Sequence, residues 1–250
     1  MNSEFEKELT IRFSETDNTG HMKAVSIFDC FQDVGCEHAA LMGLSASDLL
    51  TKNYTWIMLK YNVNIHRSPF WNEQLTIKSW RYPHKNLYEL RRFDIIDQSG
   101  EIIIEGLSSW VMMDFTSRLP VRLSRFMSDD WMKAEKPIED NFLKLSKPEN
   151  PEIEKVFNVR MQDIDFNDHV NNSVYIAWAV ESIPENILKN YKLKHVSVNY
   201  INEISYGNKI FAKAQLLDSE ANPTFLHSIS GGDNNTELTR LKTIWEKREL

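Results

Sequence analysis

Residues 5–13, Phe-Glu-Lys-Glu-Leu-Thr-Ile-Arg-Phe, alternate apolar and polar side chains, the period of a strand with one buried face. Ser14 to Met22 break that period as a turn. From Ala24 to Met42 the spacing becomes helical: Ile27, Phe31, Val34 and His38 recur at intervals of three and four, and Gly43 is placed to stop the helix. Ser45–Leu50 suggests a further short helix. Period two then returns in Trp56–Ile65, Glu73–Arg81, Tyr88–Ile96 and Glu101–Asp114, and the separators (Ser-Pro-Phe-Trp-Asn, Tyr-Pro-His-Lys-Asn, Asp-Gln-Ser-Gly) suit antiparallel turns. One strand, one long helix and a run of antiparallel strands is an α+β order in which a sheet can wrap the helix.

Asp129 to Glu154 is polar and proline-bearing and reads as an interdomain connection, giving domains at 1–130 and 154–250 with a linker at 131–153. After it the order restarts. Lys155–Arg160 reads as a strand, Asn172–Ser182 as a helix and the stretch from Pro184 as a second short helix; His195–Ile201, Lys209–Leu217, Thr224–Ser230 and Leu238–Lys247 read as strands. Gly-Gly-Asp-Asn-Asn-Thr-Glu joins the last two as a hairpin. Asp17 falls on Asp165 and His21 on His169 at one offset (165 − 17 = 148, 169 − 21 = 148), at the same strand-turn-helix point of each half, which points to duplication.

The second of those turns is the richest chemistry in the chain. In Asp165-Phe-Asn167-Asp-His169-Val-Asn171-Asn172 a carboxylate, a carboxamide and an imidazole occupy alternate positions, so they share one side of a non-helical backbone. Asn171, Asn172 or Ser173 can cap the apolar helix that follows, whose N-terminal N–H groups would favour an oxygen gaining negative charge. A purely structural cap has the same composition. A calcium loop starting at Asp163 fails at its sixth place, Asp168 instead of Gly, and at its twelfth, Val174 instead of Glu.

The D-x-N-x-H-V-N-N run, followed by Tyr175, Trp178 and Glu181, resembles the catalytic segment of the acyl-acyl-carrier-protein thioesterases, whose members carry two hotdog domains in one chain. That resemblance implies two tandem hotdog units packed as a pseudo-dimer, each a long central helix wrapped by an antiparallel sheet. It implies one working site, with Asp17 and His21 a structural remnant. The family's Glu-Cys pair falls on Glu203-Ile204 of the stretch Val196–Ile204, read as strand; the acid is kept, the cysteine is absent, and a water attack replaces a cysteine nucleophile. Asp165, Asn167, His169 and Glu203 are the implied catalytic residues, with Glu203 or His169 as base and no metal or organic cofactor. Glu181 could support the site; Tyr175 and Trp178 are read as packing, and His195 as a strand-end surface residue.

With 250 residues and 42% apolar content the chain can bury a sizeable core. Its charged start, Met-Asn-Ser-Glu-Phe-Glu-Lys-Glu, is unlike a signal peptide and no apolar run is long enough to span a bilayer, so the expectation is a cytoplasmic protein without a membrane partner. Cys30 and Cys36, six apart on one expected helix, form neither a disulfide framework nor a zinc spacing. A net charge of −7 argues against nucleic acid and means that an acidic carrier protein needs a local basic patch, for which Arg91-Arg92 and Arg118, Arg122 and Arg125 are candidates. Trp56, Met58, Trp110 and Met112 are candidates for the acyl slot. The expected partner is acyl carrier protein bearing a phosphopantetheine-linked fatty acyl chain, and the protein is expected to be a monomer or a homodimer. An acyl-coenzyme A thioesterase, a non-catalytic acyl-binding module and a hotdog dehydratase are the alternatives.

Overall fold

The first alternating run forms β1 (Glu4–Thr10), shorter than its pattern because Phe13–Glu15 wind into a single 3-10 turn that leaves Phe13 exposed. The computed structural model describes residues 4–133, 136–218 and 222–248; the first three residues of the charged N-terminus and Ala134-Glu135 of the connection lie outside them. Helix α1 (Ala24–Leu41) buries Ile27, Phe28, Phe31, Val34 and His38, the face its spacing predicts, and Gly43 ends it at φ +67°. The short α2 (Ala46–Leu50) starts on a capping box between Ser45 and Asp48. Then come β2 (Tyr54–Ile65), β3 (Gln74–His84), β4 (Tyr88–Ile96), β5 (Ile102–Asp114), the two-residue β6 (Pro120–Val121) and the single-turn α3 (Asp129–Met132). Their order across the sheet is β1-β3-β4-β5-β2, with β6 on β5.

Phe31 shows how helix and sheet meet. It is fully buried and stacks on Phe93 of β4 with ring centroids 4.6 Å apart. A Cβ on Gly106 of β5 would stand 2.3 Å from its ring, so only glycine lets the helix settle there. Burying one such ring stabilises by about 1.5–3 kcal/mol.

The second half runs β7 (Ile153–Asn158), α4 (Asn172–Glu181), α5 (Glu185–Asn190), β8 (Tyr191–Tyr200), β9 (Lys209–Asp218), β10 (Thr224–Gly231) and β11 (Thr236–Lys247), ordered β8-β11-β10-β9-β7. Both halves have the expected hotdog order. By contact the chain forms two compact units, one running to Tyr61 and including His66–Asn141, the other made of Asn62–Ile65 and the chain from Phe142 on. Among the described residues no helix is long and apolar enough to cross a membrane.

The duplication extends to individual hydrogen bonds. Asp17 N–H to His21 O and Asp165 N–H to His169 O both measure 2.8 Å, and so do Lys23 N–H to Glu15 O and Asn171 N–H to Asp163 O. Beyond the helix the offset falls to 135. Ile11 N–H donates to Glu73 O at 3.0 Å and Val159 N–H to Asn208 O at 2.9 Å, where 208 − 73 = 135. Trp110 Nε1 donates to Ser108 Oγ at 2.8 Å and Trp245 Nε1 to Thr243 Oγ1 at 3.0 Å, at the same offset. The 13 residues lost between (148 − 135) fall largely on the helix, 18 residues in α1 and 10 in α4.

One basic candidate is corrected here. Arg91 is buried in the first unit: Glu89 sits between Arg81 (Nε to Oε2, 2.8 Å) and Arg91 (Nη2 to Oε1, 2.9 Å), and Arg91 Nη1 also donates to His38 Nδ1 at 2.9 Å. All three ionic side chains are at most 5% exposed. A guanidinium on the same strand face as Phe93 cannot meet a partner at the surface; Arg92, facing the other way, pairs with Asp94 and Glu105. Arg118, Arg122 and Arg125 are exposed, Arg118 in a left-handed turn (φ +57°) and Arg125 at the end of the 3-10 turn Leu123–Arg125. Of the acyl-slot candidates, Met58 and Met112 are buried core, Met112 against Leu44, Leu49, Leu123 and Met127, while the half-buried Trp56 donates its N–H to Leu44 O.

Candidate active site

An ion pair between the exposed Arg160 and the buried Asp163 sets up the turn. Asp163 is 2% exposed and accepts the Arg160 backbone N–H at 2.8 Å and its Nη2 at 2.7 Å, closing the 3-10 turn Met161–Asp163; the bond to Asp163 holds the Arg160 guanidinium pKa above its usual value. The chain then folds back: Asp165 Oδ1 accepts the Asn167 N–H at 2.8 Å, and Asp165 N–H donates to His169 O. Asp168 takes the left-handed conformation, φ +63°, which a carboxylate side chain tolerates better than most. The sixth-place argument against a calcium loop therefore fails, since Asp168 makes the turn without being glycine; Val174, inside α4, still leaves the twelfth place without a ligand.

Asn171 is the N-cap. Its Oδ1 accepts the Ser173 N–H at 3.0 Å and the Ser173 hydroxyl at 3.2 Å, fixing the start of α4. Four residues on, Tyr175 is buried beneath the turn, with its ring edge-on to Trp178 (5.3 Å) and to Tyr200 of β8 (5.9 Å). The Tyr200 hydroxyl donates to Asn172 O at 2.9 Å. Tyr175 and Tyr200, to which no chemical role was assigned from sequence, thus tie helix start to strand end. Spacing held a signal: Tyr175 sits one helical turn beyond the cap, on the face that must meet the sheet.

Glu203 reaches the turn from beyond β8. The expected strand stops at Tyr200, and 201–204 form a loop pinned by Ile201 and Asn202 N–H bonds to Leu238 O (2.8 and 3.2 Å) and by Val170 N–H to Ile204 O (3.3 Å). The loop brings Glu203 Oε2 to 3.3 Å from His169 Nε2, each side chain about 30% exposed. His169 and Glu203 are therefore in direct contact, and Asp165 and Asn167 shape the turn that presents the imidazole. Burial pushes the Tyr175 phenol pKa up, and the neighbouring Glu203 and Asp165 carboxylates add to that.

The first unit has the same turn with different content. Asp17 Oδ1 accepts the Thr19 N–H and hydroxyl (2.8 and 2.6 Å), and Thr19 Oγ1 lies 3.1 Å from His21 Nδ1. Met22 N–H donates to Pro69 O as Val170 does to Ile204 O (204 − 69 = 135), which puts Ser68 where the second unit has Glu203. Phe70 packs edge-on against the His21 ring at 5.4 Å.

Two further residues are corrected. Glu181 lies at the far end of α4, paired with Lys155 at 3.1 Å, and gives the turn no support. His195 is half-buried, not a surface residue: its Nδ1 is 2.7 Å from Asn64 Oδ1 and its Nε2 2.7 Å from Ser197 Oγ, and burial lowers its pKa to about 4. Cys30 and Cys36 are unbridged on α1, Cys30 half-buried and Cys36 exposed.

An imidazole and a carboxylate in contact, beside a helix N-terminus, can take a proton from water and stabilise an oxyanion. Residues 2–130 match the family model of the acyl-ACP thioesterase N-terminal domain, and residues 146–247 that of the C-terminal domain. The chain is 24% identical to an oleoyl-acyl carrier protein thioesterase of Arabidopsis thaliana over 98% of its own length and 76% of the relative's. It is also similar to a Lactobacillus plantarum protein assigned as an oleoyl thioesterase (TM-score 0.85, 26% identity, 99% of this chain and 97% of that one). The 12:0-ACP thioesterase of Umbellularia californica shares its fold, with TM-score 0.81 at 18% identity and 99% of both chains covered.

Proposed function

With both domain models matched along most of its length, the chain belongs to the acyl-ACP thioesterase family, and from that premise we propose that it releases free fatty acid from acyl carrier protein by a water attack at the His169–Glu203 pair. The observation that carries this reading is the 3.3 Å approach of Glu203 to His169, two groups from separate stretches meeting beside the start of α4.

Glu203, with His169, takes a proton from water as its oxygen bonds to the thioester carbonyl carbon. The carbonyl electron pair moves onto oxygen, where the Asn167 carboxamide and the positive end of α4 face the charge. Collapse re-forms the carbonyl and breaks the C–S bond, and the proton passes from His169 to the departing thiolate. Free acid and the carrier's phosphopantetheine thiol are the products. Asp165 acts through the turn: its carboxylate holds the Asn167 N–H and so sets the approach of Asn167 and His169. The division of labour follows the chain, with the catalytic cluster in 154–250 and the first unit, 1–130, receiving the acyl chain. A cytoplasmic location accords with two unbridged cysteines, although the Arabidopsis relative is named chloroplastic.

The test is thiol release from acyl-carrier-protein and acyl-coenzyme A thioesters by the wild type and by Asp165→Ala, His169→Ala and Glu203→Ala. Carrier-linked turnover that each change lowers by about a hundredfold or more is expected. Turnover confined to coenzyme A esters would displace the carrier, and acyl binding without hydrolysis would displace the enzyme.

A further inference from the structure

The two stretches that bring His169 and Glu203 together also carry apolar side chains in the open: Met161 and Phe166 on the first, Ile201 and Tyr206 on the second. The first unit separates what the fold requires from what it does not. Positions 161 and 206 correspond to Phe13 and Trp71 (161 − 13 = 148, 206 − 71 = 135), also exposed, whose rings meet edge-on with centroids 6.0 Å apart. An apolar pair there belongs to the duplicated scaffold. Positions 166 and 201 correspond to the polar Asn18 and His66 (166 − 18 = 148, 201 − 66 = 135). The turn itself has no need of a ring at 166. Asn167 N–H to Asp165 Oδ1 (2.8 Å) and Asp168 N–H to Asp165 O (3.1 Å) are matched by Thr19 N–H to Asp17 Oδ1 (2.8 Å) and Gly20 N–H to Asp17 O (3.1 Å), around an asparagine. A lone exposed apolar residue on a surface is ordinary. Phe166, 72% exposed between Asp165 and Asn167, stands in the unit that owns Glu203, where the other copy of the turn does without it.

We infer that Phe166 is the contact for the pantetheine arm of the substrate, its ring covered by the arm's methylene and gem-dimethyl groups while the thioester carbon stands at the His169–Glu203 pair. The inference rests on the reading of that pair given above. Place decides the occupant. A slot for the acyl chain buries most of its ligand, and a ring so open encloses nothing. The folded carrier stands at the far end of the arm from the reacting carbon, whereas Phe166 is three residues from His169. The arm joins the two and passes the mouth of the site, and an aromatic ring offers it broad apolar contact from one stiff side chain. Coenzyme A carries the same arm, so the contact serves either carrier. Because the arm does not change during the reaction, the ring holds ground state and transition state alike and acts on KM, not on kcat.

One acyl chain presented on carrier protein, on coenzyme A and on ethanethiol, which has no arm, tests this with the wild type, Phe166→Ala, Phe166→Leu and Met161→Ala. Phe166→Ala should raise KM about tenfold on each arm-bearing thioester that the wild type hydrolyses, the scale of uncovering part of one ring, with kcat within about twofold. Leucine should restore most of the affinity. Turnover of the ethanethiol ester by Phe166→Ala, and every constant of Met161→Ala, should stay within about twofold of wild type. Holo-carrier and apo-carrier as inhibitors separate the arm from the protein that bears it: in Phe166→Ala the inhibition constant should rise about tenfold for the first and stay unchanged for the second. An unchanged KM, an equal loss on the ethanethiol ester, or an equal rise for the apo-carrier would overturn the inference. A wild type that hydrolyses none of the three esters would instead overturn the reading of the site.

Discussion

Replacing Glu89 by glutamine separates the buried charges of the first unit without changing their shape. Glu89 is 5% exposed between two guanidiniums that are 2% and 3% exposed, at 2.8 and 2.9 Å. The amide of Glu89→Gln can accept from one arginine but must turn its own N–H groups towards the other, leaving two buried cations without a counter-charge. Breaking a buried pair in this way costs about 3–5 kcal/mol. At about 2–4 °C per kcal/mol for a chain of this size, the melting transition should fall by roughly 6–20 °C near neutral pH. Calorimetry on both proteins measures it. The pH dependence carries its own sign: burial alone would raise the Glu89 carboxyl pKa, but the Arg81 and Arg91 charges and hydrogen bonds outweigh it and hold it below 4.5. A carboxyl depressed in the folded state stabilises above its unfolded pKa and loses that contribution as pH falls through the folded value. The gap between wild type and Glu89→Gln should therefore be constant from pH 8 to about 5.5 and close below roughly 4.5. A shift under about 3 °C at neutral pH, or a gap unaffected by acid, would refute the buried triad.

The first unit's turn lacks a carboxylate at the Glu203 position, so Asp17→Asn and His21→Ala should leave thioester turnover within about twofold of wild type in the assay that condemns His169→Ala. Burial, with Asp33 nearby, raises the Cys30 thiol to about 12, so at pH 8 roughly one molecule in ten thousand carries the thiolate. One thiol per chain should react rapidly with iodoacetamide, and Cys36→Ser should abolish that fast phase.

Much of the fold was legible because period and punctuation agreed. The helix read over Ala24–Met42 runs from Ala24 to Leu41, and Gly43 stops it in the left-handed conformation that residue was assigned. The errors were of two kinds. For Arg91 the signal was present: alternation puts it on one face with Phe93 and Glu89. For His195 no local signal existed. The register shift between Ile244 and Trp245 opposite β8 re-aims the strand near His195. The meeting of Glu203 with His169, 34 residues away, is a tertiary contact that only the family resemblance suggested. The shift of offset from 148 to 135 stayed hidden because a shortened helix leaves no mark except in the hydrogen bonds on either side.

The two tryptophan–hydroxyl pairs make the duplicated chain its own differential spectrometer. Trp110 and Trp245 stand at equivalent places, one in each unit, each indole N–H held by a hydroxyl two residues earlier on its strand. Because each indole N–H has a hydroxyl partner, a difference between their emission spectra reports how far each ring is exposed, Trp110 being half-buried and Trp245 buried. A chain keeping tryptophan at 110 alone and its counterpart keeping it at 245 alone would follow the loosening of each half separately under heat, acid or bound acyl chain, with no label added.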